Sequence, residues 1–99
     1  MLVDKGGLLR TVEIRLARLQ VGQGLLIQPY KKDRSVWIIK REEQLEIIED
    51  GFKRDRFLIA PSRLKKSLKT LMRREFPRSH KLHLGRLSEG ELPSFHGSD

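Results

Sequence analysis

The chain has 99 residues, enough apolar material for one hydrophobic core and too little for two. Lys plus Arg is 21 against 13 Asp plus Glu, so the formal charge is +8 on a chain that is 37% hydrophobic, the balance of a folded domain with a basic surface. With no cysteine, disulfides, a thiol nucleophile and thiolate metal sites are excluded, and no run of about twenty apolar residues exists to cross a bilayer.

Thr11 to Arg18 alternates, with Val12, Ile14 and Leu16 on one side and Glu13 and Arg15 on the other, which predicts a half-buried strand. A helix is the rival, because Leu9, Val12, Leu16 and Leu19 share a helical face and β-branching decides only weakly between the two. Gly22-Gln23-Gly24 breaks either element. Leu25 to Tyr30 and Ser35 to Lys40 are rich in strand formers and flank the polar Lys31-Lys32-Asp33-Arg34, so they predict a β-hairpin. Glu42, Glu43, Glu46, Glu49 and Asp50 interleave with Leu45, Ile47 and Ile48 ahead of Gly51, which predicts a short acidic helix closed by a glycine cap.

Phe52 to Asp55 is a connection, and Arg56 to Ala60 a short strand ended by Pro61. Ser62 stands as N-cap to an amphipathic helix that runs to Phe76. There Leu64, Leu68, Leu71 and Met72 recur at helical spacing, while Arg63, Lys66, Lys69, Arg73 and Arg74 take the other side. Pro77 stops this helix, and Lys81-Leu82-His83-Leu84 predicts a last strand with its leucines inward. From Ser88 the Gly, Pro, Ser and acidic residues predict a disordered tail, so residues 1–87 are expected to be the single domain and 88–99 the tail. The element order has no βαβ period. It predicts an α+β fold, a mostly antiparallel sheet of four to five strands with a short acidic helix and a longer basic one.

Charge is distributed unevenly. Residues 51–86 hold twelve basic and two acidic side chains, whereas residues 41–50 hold one and five. Cations concentrated on a rigid element suit a polyanion, because each phosphate contact releases a counterion and several must engage together. The expected nucleic-acid contacts are Arg63, Lys66, Lys69, Arg73, Arg74, Arg78, Lys81 and His83, on the helix and the strand after it. Tyr30 and Trp37 are the candidates for base stacking, although a lone Trp in an apolar strand is commonly a core residue. Phe52, Phe57 and Phe76 read as packing residues.

No constellation for catalysis emerges. The glutamates fall on one solvated face, His80 and His83 would point to opposite sides of a strand, and no serine sits in the elbow that activates a nucleophile. Neither catalytic residues, a metal site nor a cofactor is expected. The composition and pattern predict a small, non-catalytic, cytoplasmic nucleic-acid-binding protein with no membrane contact, RNA favoured over DNA because no groove-reading motif is present. The alternative is an adaptor whose basic face or exposed strands meet an acidic protein or a second copy of the chain.

Overall fold

Leucine spacing governs the first third of the chain. In the computed structural model, which describes residues 1–87, the elements begin with β1 (Leu2–Asp4), a 3-10 turn over Lys5–Gly7 and α1 (Leu8–Arg18). Leu8, Val12 and Leu16 are buried along α1. The expected strand is therefore a helix, and Ile14, inward on the strand reading, is 46% exposed. A strand here could have buried only three alternate side chains, whereas the helix lays a longer apolar row on the sheet and buries Leu19 just beyond its end. Gly22, at φ 95°, turns the chain into the sheet.

The remaining elements are β2 (Gly24–Gln28), β3 (Ser35–Lys40), β4 (Leu45–Asp50), β5 (Arg54–Ile59), a 3-10 turn over Pro61–Arg63, α2 (Leu64–Glu75) and β6 (Lys81–Leu87). They form one six-stranded sheet in the order β1-β6-β2-β3-β4-β5, and every pairing is antiparallel. The class is α+β as expected, with one strand more than the expected range.

The acidic segment is not a helix. Residues 45–50 form β4 and pair in full register with β3, Lys40 opposite Leu45 and Ser35 opposite Asp50. Glu42 and Glu43 lie in the turn that precedes it, Glu43 at φ 61°. Strand pairing on both sides and the β-branched Ile47-Ile48 outweigh the helical spacing of the carboxylates. Gly51 accordingly lies in a hairpin turn, where a Cβ would strike the Glu75 carboxylate.

The long helix matches expectation: Leu64, Leu68, Leu71 and Met72 are all buried, and Arg63, Lys66, Lys69 and Arg73 are exposed. Ser62 does not cap it. The 3-10 turn occupies the start, Arg63 holds the cap position, and no side chain bonds there. Both helices cover one face of the sheet, in a cluster with Leu25, Ile27, Val36, Ile38, Leu45, Ile47, Leu82 and Leu84. On the opposite face the register aligns Leu26 with Trp37 and Trp37 with Ile48. Trp37 is half-buried there, facing away from the helices, and its indole Nε1 is enclosed without a hydrogen-bond partner among the described residues. The tail expected to be disordered, residues 88–99, lies outside the described residues.

Candidate nucleic-acid interface

Antiparallel pairing brings the β2–β3 loop, the β4–β5 turn and the α2–β6 connection to one end of the sheet. Backbone bonds hold each connection in shape: Lys32 N–H donates to Pro29 O at 2.9 Å, and Ser79 N–H to Phe76 O at 3.3 Å. Between them lies an open cleft of about 840 Å³ lined by Tyr30, Lys31, Arg34, Phe52, Arg78, His80 and Lys81 among others.

Two buried carboxyls underlie the cleft. Glu75, at the end of α2, accepts the Phe52 N–H at 2.7 Å and the Lys53 N–H at 3.0 Å, while Arg34 Nη1 donates to its backbone carbonyl at 2.9 Å. One residue of the helix thus holds both hairpin connections. Glu49, from β4, is wholly buried and accepts Arg74 Nε at 2.7 Å and Nη2 at 2.8 Å. Burial pushes the Glu49 carboxyl above the ordinary carboxylate range, and the neighbouring Glu75 adds to that against the opposing Arg74 guanidinium. Burial acts on Glu75 too, but hydrogen bonds from Glu49, Phe52 and Lys53 outweigh it and hold Glu75 low. Glu49 is therefore the member of the pair that takes a proton first as pH falls.

The predicted contact residues divide into three groups. Arg63, at the cap position of α2, and Lys66, Lys69 and Arg73 on the helix stand exposed, and Lys69 and Arg73 also border the groove against α1, with Lys5 and Lys65. Arg78 and Lys81 are exposed at the cleft, and His83 is half-buried on β6. Among the described residues, none of these side chains is in an ion pair. Arg74 differs, because both its donating nitrogens are turned onto Glu49 and its charge is balanced within the fold.

Trp37 lies within β3, beside Leu26 and Ile48 on the sheet face away from the helices, and the register places His83 on that face too. Tyr30 lies past the end of β2, 76% exposed, with its ring stacked on His83 at a centroid distance of 5.6 Å and 22° between planes. Phe57 packs against the core and Phe76 is buried, as expected of packing residues. Phe52 is not one: it is 78% exposed in the β4–β5 turn, with the Arg34 guanidinium 5.9 Å from its ring centroid. The signal for Phe52 was present, since an aromatic directly after the Asp-Gly of a hairpin turn has no cross-strand partner, but it is legible only once β4 and β5 are known to pair. Lys31, Arg34, Lys65 and His80 are further basic residues of these surfaces.

Other charges are structural. Glu46 accepts Arg41 Nε at 2.9 Å and Arg41 Nη2 at 2.6 Å, and also bonds Arg56 across the β4–β5 pair. Lys5 donates to the Phe76 carbonyl, tying the start of the chain to the end of α2. Among the described residues no group of His, Asp and Glu is arranged to hold a metal ion, and no helix is long and apolar enough to cross a membrane. Comparison of the chain with protein-family models, with curated proteins and with solved structures returns no match.

Proposed function

We propose that this is a small, non-catalytic nucleic-acid-binding protein, RNA favoured over DNA, whose contacts run from the outer face of α2 to the cleft at the sheet end. The observation that carries the reading is the run of exposed cations without ion pairs among the described residues, from Arg63, Lys66, Lys69 and Arg73 to Arg78 and Lys81. Internal neutralisation would have removed this field, and the fold spends its buried acids elsewhere: Glu46 on Arg41 and Arg56, Glu49 on Arg74. Unpaired cations on a rigid helix can engage several phosphates at once, which is the condition for cumulative counterion release.

The second reading, an adaptor for a protein partner, draws on the face of the sheet away from the helices. There Leu58, on the edge strand β5, is 55% exposed and lies on the same sheet face as Trp37.

The deciding experiment titrates a labelled polynucleotide at two salt concentrations against the protein and two charge-reversed pairs. Lys69→Glu with Arg78→Glu takes one cation from each part of the surface. Arg10→Glu with Arg18→Glu makes the same charge change on exposed positions of α1. The first pair should weaken binding strongly and lower the salt slope by about 1 to 2, and the second should do so much less. Equal losses would reduce the interface to diffuse attraction by net charge, and absence of binding at low salt would leave the adaptor reading.

A further inference from the structure

The cleft holds more than cations. Tyr30 and Phe52 are the most exposed large apolar side chains among the described residues, at 76% and 78%, and both sit on short connections at the same end of the sheet. Singly exposed apolar residues are ordinary, but two exposed aromatic rings at one end of a sheet, with cations between them, form a surface that a ligand can cover. Neither ring is loose. Tyr30 rests on the His83 ring, and His83 is set by its place in β6 opposite Gln28. Phe52 faces the Arg34 guanidinium, and both are tied to the same residue: the Phe52 N–H to the Glu75 carboxylate and the Arg34 guanidinium to the Glu75 carbonyl. Each ring thus has a planar neighbour on one side and solvent on the other. Lys31, Arg78, His80 and Lys81 line the same cleft.

We propose that Tyr30 and Phe52 are two base-stacking platforms, and that the cleft takes a single-stranded segment of nucleic acid in preference to duplex. The proposal rests on the nucleic-acid reading above and adds to it which form of the polymer binds and where. A base within a duplex has both faces covered by its neighbours, so only an unpaired, splayed base offers a face to a protein ring. Every base has such a face, so stacking on the two rings tolerates sequence. The phosphates of the same segment fall to the cations around the rings. An acidic protein segment would satisfy the cations but would gain from the rings only through apolar side chains, which makes it the competing occupant.

The test uses the full chain and two fluorescent RNA probes, a ten-nucleotide strand of mixed sequence and a fully paired hairpin of similar composition whose stem is closed by a non-nucleotide linker, measured by anisotropy at low salt. Tyr30→Ala and Phe52→Ala should each lower affinity for the single strand by about 5- to 150-fold, the range of one lost stacking contact. They should leave the salt slope and the hairpin affinity unchanged, while Tyr30→Phe, which keeps the ring, should retain single-strand binding. Both positions are exposed, and an unchanged thermal melt would show that each variant is folded. The proposal is overturned if both alanine variants bind the strand as the unaltered protein does, or if strand and hairpin bind equally. In either case, sensitivity to Lys69→Glu with Arg78→Glu would preserve the broader reading. If neither probe binds at low salt, the nucleic-acid reading falls and the stacking platforms fall with it.

Discussion

Replacing Arg74 by Met separates a cation that holds the fold from cations that serve a ligand. Arg74 gives two hydrogen bonds to Glu49, whose side chain has no exposure at all. Without the guanidinium, Glu49 must either stay charged in the interior or take up a proton, and the cheaper course sets the cost. For a carboxyl with the ordinary value of 4.5, protonation at pH 7 costs about 3 kcal/mol, and at pH 5 under about 1 kcal/mol. Because burial and Glu75 already raise Glu49 in the intact protein, part of that cost is present before the substitution. The expected loss is therefore at most about 3 kcal/mol at pH 7, shrinking below about 1 kcal/mol at pH 5. The sign follows from the raised pKa: a carboxyl held above its unfolded value destabilises the fold increasingly as pH rises through that range. Urea unfolding of Arg74→Met at the two pH values measures this, and Glu49→Gln combined with Arg74→Met should recover most of the loss at pH 7. The salt slope of polynucleotide binding should be unaltered in Arg74→Met. A loss that is the same at both pH values, or a reduced salt slope without a stability loss, would refute the assignment of Arg74 to Glu49.

Two further outcomes test the packing and the surface charges. Leu68, 3% exposed beneath α2, should cost about 2 to 4 kcal/mol when truncated to Ala, while the exposed Lys66→Ala should leave the urea midpoint where it was. Burial works to raise Glu46, but hydrogen bonds from Arg56 and then Arg41 outweigh it and hold this carboxyl below 4.5. Its contribution is thus present above that value and lost as pH falls through the lower folded value, so Glu46→Gln should flatten the acid limb of stability below pH 4.5. An unaltered acid limb in the variant would mean that the Arg41–Glu46–Arg56 group contributes nothing to acid resistance.

Much of the architecture is written locally. The leucine spacing of α2, the hairpin of β2 and β3 and the start of β6 are legible because each depends on a repeat of apolar residues along one face, a property of consecutive residues. The cationic face of α2 is legible for the same reason, since a helix that buries four apolar side chains must expose what lies between them. Other features depended on neighbours distant in the chain. Glu46 and Glu49 resemble a solvated helical face until Arg56 and Arg74, ten and 25 residues away, supply the charges that let β4 bury them. The first helix and a strand were both compatible with residues 11–18, and the sheet, by offering a broad apolar face to cover, selected the helix. The cleft was beyond the local pattern altogether, because Tyr30, Phe52 and Arg78 meet only through antiparallel pairing of β2 to β6 and of β4 to β5. Periodicity reports which face of an element is apolar. It carries no information about which buried charge will find its counter-ion, or which loops will share an end of the sheet, because those are set by pairings whose energy appears only when separated segments come together.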